Sequence, residues 1–455
     1  MAAERASVAT SSVLADGVYT LRLVLLVGSL LSIISYAFIF VSASYLSNVP
    51  LDAAVSFWSN DFPRPLPVSA YPSPAGHHFF GDFLVTFRLA QQPSPYLAEG
   101  YVPFGYLPMS AVLLGPLTPL GYWWALAIFL LVCITLLFLA IWKSFSDSDK
   151  VTPTLVIALV LLSGPFMNGV DRGNVGLLMV GLMCLGASAE LSGRRILSGV
   201  LFGVAAAMKL YPAFLGSVFL HRTRIKTMLT MAATTVVCVV VPVVVFAGGW
   251  WTNLSVMKDQ FVGSSNFAHA ERIHAFNNSF FALFHAMEMS EVSWVNASGS
   301  VLVENYYLVI VVVALISLAV ALHPRISNLS RYICSCVTMV FLPNIVGSYV
   351  LMIMIIPLLI GCAVISRDRS SMSRLTLTQV VLLVVILVPK GLPFPNPLAV
   401  WSQAESTFSS VLNPLLGLVL LTVSVIEFIR ISVRKKVDLG GGYDLEVLHG
   451  ADGLI

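Results

Sequence analysis

Apolar residues in this 455-residue chain fall into long runs, and the polar ones collect in a few short knots between them. A run of roughly 20 apolar residues is long enough to cross the hydrocarbon of a bilayer. On that pattern residues 21–45, 122–142, 228–246, 302–322, 332–345, 349–366, 375–389 and 411–429 read as spans. Residues 106–118 are interrupted by Pro116 and Pro119 and read as a half-helix leading into the next span. Residues 153–168 rise to the polar knot Asp171-Arg172-Gly173-Asn174, and 175–190 descend from it. Residues 196–208 and 213–220 are each too short to cross alone, and Lys209-Leu210-Tyr211-Pro212 separates them. They read as two half-helices returning to one side. Irregular backbone at membrane depth is tolerated only where protein or a watery cavity lines it, which places Lys209 at a cavity floor.

Two long polar stretches remain, 46–105 and 248–300, and both read as large loops. In the first, Phe83, Phe87 and Ala90 share a face at helical spacing, so 82–92 reads as an amphipathic helix resting on the interface, ended by Pro93 and Pro95. The expected fold is an all-α polytopic membrane protein with about 10–12 transmembrane or half-spanning helices and large extracytoplasmic loops. Residues 1–20 read as a cytoplasmic N-terminal segment, 21–429 as the transmembrane domain and 430–455 as a cytoplasmic tail.

Composition supports the bilayer. The chain is 58% hydrophobic and 10% charged, with mean hydropathy +0.90, whereas soluble domains carry about 25% charged residues. The basic residues come in twos and threes at the ends of apolar runs, so no nucleic-acid footprint is visible. All six cysteines lie in apolar runs, and Cys334-x-Cys336 has no further ligands nearby, so neither disulfides nor a structural metal is expected. The first apolar run has no cleavage site behind it and reads as an uncleaved span. With the N-terminus inside, all Lys and Arg except Arg64, Arg88, Arg172, Lys209, Lys258, Arg272 and Lys390 fall on the inner side. Both large loops, the Asp171–Asn174 knot, the turn at 344–348 and the 389–406 loop then share the outer face.

The densest chemistry is in residues 77–108, which carry His77, His78, Asp82, Arg88 and many aromatics. Asp82 is the candidate catalytic base; its alternative role is the N-cap of the 82–92 helix. His77 and His78 read as polar loop residues, with His78 a candidate for the site. Asp171, Arg172 and Asn174 are either a surface turn with a neighbouring charge pair or a partly buried set ordering an outer cavity. Lys209, with Tyr211 beside it, suits the phosphate of a lipid carrier, and Arg172, Arg88 and Arg272 are rival phosphate ligands. Asn277-Asn278-Ser279 precede an apolar helix, so capping by Asn278 or Ser279 is the simpler reading, and Asn278 is a further cavity candidate.

In this order the knots resemble glycosyltransferase family 87, polytopic mannosyltransferases of the GT-C fold. The first-loop pattern is matched by Asp82-Phe83, Phe87, Ala90, Pro95-Tyr96 and Tyr106-Leu107-Pro108. A turn that opens a helix is matched at Asp171–Asn174, a small-residue helix ending in Lys-x-x-Pro at 199–212, and a later Asn-x-Ser at Asn277–Ser279. The late helix opens on Gly347-Ser348-Tyr349 where the family pattern would place a histidine, which brings in Tyr349 as a cavity candidate.

The resemblance covers roughly residues 20–430 and is greatest to actinobacterial members. It implies a polyprenyl-phosphate-mannose donor used on the outer face of a bacterial plasma membrane. The acceptor it implies is a lipid-linked glycan such as a phosphatidylinositol mannoside or lipoglycan. A β-linked donor giving an α-linked product needs one inverting displacement, with Asp82 taking the acceptor's proton and cations receiving the phosphate. No outward Asp-x-Asp pair appears, so neither a metal nor another cofactor is expected. Two rivals stay open: a secondary transporter or flippase with a midplane site, and a non-catalytic envelope-assembly subunit.

Overall fold

The computed structural model describes residues 17–38, 80–98, 106–146, 148–220, 224–268, 277–344, 346–367, 373–390, 393–394 and 406–440. Its regular structure is helical apart from a pairing of two-residue strands, β1 (Pro393–Phe394) with β2 (Ser406–Thr407), so the fold is all-α.

Helix α1 (Gly17–Phe38) is followed by α2 (Gly81–Ala90), α3 (Met109–Leu114) with a 3-10 extension at Gly115–Leu120, and α4 (Tyr122–Ser144). Helices α5 (Val151–Leu161) and α6 (Gly164–Arg172) are an apolar pair bent by 56°. Next come α7 (Gly176–Leu191) and α8 (Arg195–Ala206), then a break into a 3-10 helix at Tyr211–Phe219. Beyond α9 (Ile225–Val245) lie α10 (Trp250–Ala268) and α11 (Phe280–Glu288), then α12 (Ser293–Glu304) and α13 (Tyr306–Leu322), bent by 78°. The chain closes with α14 (Asn328–Phe341), a 3-10 segment Ser348–Met354 leading into α15 (Ile355–Arg367), α16 (Arg374–Leu387) and α17 (Phe408–Gly440). Among the described residues five helices are long and apolar enough to cross a membrane, or seven if each bent pair is one span. This is a multi-pass membrane protein.

Burial sorts the helices into centre and rim. The Ser348–Arg367 span is 83% buried, whereas α9 is 17% buried and turns Val236, Val237, Val240, Val241 and Val244 outward. Helix α14 is buried along its length. Helix α8 lies tight against α9 because Gly199 and Gly203 leave room: a Cβ on either would come within 2.7 Å of the α9 backbone.

Polar groups gather at two poles. At one, Arg22 pairs with Asp149 at 3.0 Å, Ser366 donates to the same carboxylate, and Arg367 donates to the Leu191 carbonyl. Next to Leu191, Glu190 pairs with Arg224, which also donates to Asn328. These are residues read from the sequence as inner or inner-boundary. The other pole holds Asp82 and its partners.

Two stretches depart from the sequence reading. The 248–300 region, read as a loop with one apolar helix after Ser279, contains α10 and the start of α12 besides that helix, α11, among its described residues. Helix α10 has a clamping role: Asn253 donates to the carbonyls of Val243, Phe246 and Ala247 at and just past the end of α9, and Ser94 donates to Asn253 at 2.7 Å. Helix α17 runs on to Gly440, past the expected end at 429, because nothing in Arg430–Lys436 breaks a helix.

The Asp149 corner yields a pH test. Burial pushes this carboxyl up, but hydrogen bonds from Ser366, Thr152 and Arg22 outweigh it and hold it at about 2. Its native value lies below the unfolded value of about 3.9, so its stabilising contribution is full above that pH and is lost as pH falls through the native value. Thermal unfolding in detergent should therefore show Asp149→Asn melting below wild type at pH 5 to 6. That gap should narrow toward zero as pH falls to about 2.

Candidate functional site

Three chain breaks meet at the second pole, and each is built so that its backbone groups are satisfied. The first is Asp171-Arg172-Gly173-Asn174. Gly173 adopts φ 59°, its N–H donates to Val170 O, and the Asn174 N–H donates to Gly169 O. That is a complete Schellman stop for α6. The Asn174 side chain then accepts from the Gly176 N–H at 2.7 Å and starts α7. One short segment ends a helix, turns, and begins the next.

The second break follows α8. The Met208 carbonyl has no helical partner here and accepts instead from the Leu107 N–H at 3.0 Å and Ser110 Oγ at 3.2 Å. The third is the start of α2, where Phe80 takes φ 58° and its N–H donates to Asp171 O at 2.7 Å. A non-glycine residue in the left-handed region is strained, and such strain concentrates where surrounding structure fixes it. Below it, Phe83 and Phe87 pack on Tyr122, and Phe83 also meets Phe129. The apolar face of α2 is therefore buried in protein.

Side chains from these breaks converge. Arg172 grips Asp82 with both arms, Nε to Oδ2 at 2.7 Å and Nη2 to Oδ1 at 2.8 Å. Asn174 Nδ2 adds a third bond to Oδ2 at 2.6 Å and reaches Tyr106 Oη at 3.3 Å. Its Oδ1 accepts from Lys209 Nζ at 3.3 Å. Lys209 is the deeper of the two cations, 8% exposed, with the rings of Tyr106, Tyr349 and Tyr211 at 4.9, 5.1 and 5.8 Å from Nζ. Each such cation–π contact is worth on the order of 1 kcal/mol. Tyr349 also lies 5.4 Å from the Arg172 guanidinium. Asp82 and Arg172 keep about a fifth and a quarter of their side-chain surface exposed.

Burial pushes the Asp82 carboxyl up, but Arg172, Asn174 and Lys209 outweigh it and hold it below the usual carboxylate range. Asp82 is not the N-cap considered above. Phe80 holds that position with no side-chain cap, and both Asp82 oxygens turn to Arg172 and Asn174. The neighbouring charge pair weighed for Asp171 and Arg172 is replaced by a bond spanning 90 residues.

Among the sequence candidates, Asp82, Arg172, Asn174, Lys209, Tyr211 and Tyr349 come together. Asp171 is buried beside them and supplies its carbonyl to Phe80. Arg88 sits in the last turn of α2, outside this bonded set. Asn278 lies one layer back, fully buried, with Nδ2 on Ser348 Oγ at 3.3 Å. Ser279, not Asn278, caps α11, through the Ala282 N–H. His78 and Arg272 lie outside the described residues. Tyr106 was absent from the candidates; its place in the aromatic Tyr106-Leu107-Pro108 stretch was the available signal. The Tyr96 hydroxyl fixes it by donating to its carbonyl at 3.1 Å.

As chemistry, the cluster offers an ionised carboxylate, two cations and tyrosine hydroxyls on a mostly buried surface. The Tyr211 hydroxyl oxygen is buried without a hydrogen-bond partner among the described residues. The family model of glycosyltransferase family 87 matches residues 104–346, more than half of the chain. The match takes in Tyr106, Arg172, Asn174, Lys209 and Asn278 and begins after Asp82. No curated protein matches the chain.

The turn at Gly173 is the most substitution-sensitive backbone point of the site. A Cβ there would meet Phe83 Cβ at 2.7 Å and would also have to hold φ 59°. Gly173→Ala should destabilise the protein by on the order of 1–3 kcal/mol, read as a lowered melting temperature in detergent.

Proposed function

The chain belongs to glycosyltransferase family 87, a membrane glycosyltransferase, and on that premise we propose a specific transfer. A mannosyl residue, or another hexosyl or pentosyl group, moves from a polyprenyl-phosphate sugar to a lipid-linked glycan. The acceptor is of the phosphatidylinositol mannoside or lipoglycan class. The reaction takes place on the extracytoplasmic face of a bacterial plasma membrane and inverts the anomeric centre. What carries the reading is one arrangement: a carboxylate kept ionised by Arg172 and Asn174, with a second buried cation, Lys209, on the other side of Asn174.

In this reading Asp82 is the general base. A carboxylate has about four lone-pair positions. Oδ2 accepts from both Arg172 and Asn174, whereas Oδ1 accepts from Arg172 and has a position left for an acceptor hydroxyl. The acceptor oxygen bonds to the anomeric carbon as the bond from that carbon to the phosphate oxygen breaks. The hydroxyl proton goes to Asp82, and the bonding pair leaves on the phosphate. A carboxylate held below its usual range is a weak base, so proton transfer runs late, when the attacking oxygen has already become acidic.

The leaving phosphodiester becomes a monoester with more negative charge, which calls for fixed cations near the bridging oxygen. Lys209 is a compact charge with N–H groups beyond its bond to Asn174. Arg172 holds Asp82 with one edge and has its remaining Nη1 edge for phosphate. Tyr211 adds a hydroxyl, and Tyr106 and Tyr349 wall the cations from water. Arg88, at the far end of α2, takes no part.

The test is transfer of radiolabelled mannose from polyprenyl-phosphate-mannose to a membrane glycolipid by purified protein. Asp82→Asn should lower the rate by about 10²–10⁴-fold, as expected for loss of a general base. Lys209→Ala should lower it by about 10²-fold or more through lost charge stabilisation. Both proteins must remain folded by size-exclusion and melting profile. Full activity in folded Asp82→Asn would remove it as the base.

A further inference from the structure

Tyr349 is the one aromatic of the cluster that faces both cations, and its hydroxyl shares a side-chain hydrogen bond with Asn174. The backbone that carries the ring is set from behind. The residues before it, Asn344 and 346–348, are laced to the start of α11. Asn277 accepts from the Val346 N–H at 2.8 Å and donates to Asn344 O at 2.6 Å. The Asn278 N–H donates to Val346 O at 2.9 Å, and its Nδ2 reaches Ser348 Oγ at 3.3 Å. The Tyr349 ring folds back on Gly347, where a Cβ would come within 2.7 Å of it. Whatever fixes the 346–348 backbone therefore fixes the ring.

The last member of this chain comes from the far end of the sequence. Asn413, on α17 and 2% exposed, donates from Nδ2 to Asn278 Oδ1 at 3.0 Å. It lies well beyond residues 104–346, the part that matches the family. An amide at this depth carries a desolvation cost that leucine would avoid. Packing alone does not call for asparagine here. The donor orients Asn278: with Oδ1 facing Asn413, the Asn278 amide must present Nδ2 to Ser348 and Val346.

We propose that Asn413 is a positioning residue for the donor-phosphate site, acting through Asn278 and the 346–348 turn to hold the Tyr349 ring against Arg172 and Lys209. The inference rests on the reading of those two cations as phosphate ligands. Its consequence is selective. Loss of the amide donor frees the Asn278 side chain to turn, loosens residues 346–348, and lets water reach the cations. Phosphate binding and departure suffer, and the glycan acceptor's affinity does not.

The experiment uses full-length purified protein and three single variants: Asn413→Leu, which keeps volume and removes the donor; Ser348→Ala, a milder cut on the other side of Asn278; and Tyr349→Ala. Two readouts are taken. Hydrogen–deuterium exchange over residues 344–350 reports the turn without any assay of transfer. Steady-state transfer from polyprenyl-phosphate-mannose gives kcat/KM for donor and KM for acceptor separately. Asn413→Leu and Ser348→Ala should raise exchange over 344–350 and lower donor kcat/KM on the order of tenfold, with acceptor KM unchanged. In a Tyr349→Ala background, Asn413→Leu should add little, since contacting residues in one network are non-additive. Unchanged exchange in both variants, or full additivity with Tyr349→Ala, would overturn the proposal. Absence of transfer by wild type would count against the transfer reading, and the exchange result would then decide whether the latch exists. If Asn413→Leu does not fold, Ser348→Ala decides both readouts.

Discussion

The bond between Asp82 and Arg172 is the constraint on which the second pole depends. Each charge on its own would be costly so close to a bilayer, and removing one partner leaves the other uncompensated. The pair forms only if α2 lies against the end of α6, which requires Phe80 to take its strained conformation and Gly173 to leave room for Phe83. The helix must also stop at Arg172 without orphan carbonyls, and the Schellman turn provides that. One two-pronged contact thus fixes a helix start, a helix stop and the approach between them. Asn174 extends the same logic to the break after α8, because its side chain touches Asp82 on one edge and Lys209 on the other.

The breaks were legible in the sequence because each interrupts an apolar run with residues that have no place in a plain span. Asp171–Asn174, Lys209–Pro212 and Gly347–Tyr349 are all of this kind, and all three supply the cluster. The all-α polytopic fold was equally legible, since apolar run length is a direct consequence of bilayer thickness. Partner choice was not. Arg172 has an acid beside it at Asp171, and local spacing cannot say that the guanidinium turns to a carboxylate 90 residues away. Nor does spacing separate an N-cap aspartate from one a single turn-position inside the helix. Helix α10 was hidden because its residues are mixed in polarity, and its role in clamping the first loop appears only through contacts such as Ser94 with Asn253.

The two cations are held by different chemistry, and the difference has a function in the proposed transfer. Arg172 is neutralised by a carboxylate in fixed bidentate geometry, which orients its plane and keeps Asp82 ionised. Among the described residues Lys209 has no carboxylate bonded to it; a neutral amide oxygen and three tyrosine rings surround it. Ring quadrupoles stabilise a cation without cancelling its charge or occupying its N–H groups. Lys209 therefore remains an attractive centre for an incoming anion.

That division bears on the order of events. A phosphate approaching Lys209 meets a charge already stripped of water, so part of the desolvation cost has been met by the fold. A neutral acceptor hydroxyl has no comparable pull and finds only the remaining lone pair of Asp82 Oδ1. As the phosphate gains charge on leaving, its attraction to Lys209 and to the outer edge of Arg172 grows, whereas attraction in the bound donor is weaker. Interactions that strengthen along the reaction raise turnover more than they raise ground-state affinity. On this argument the tyrosines matter to rate through what they withhold: by shielding Lys209 without pairing it, they keep its charge available for the transition state.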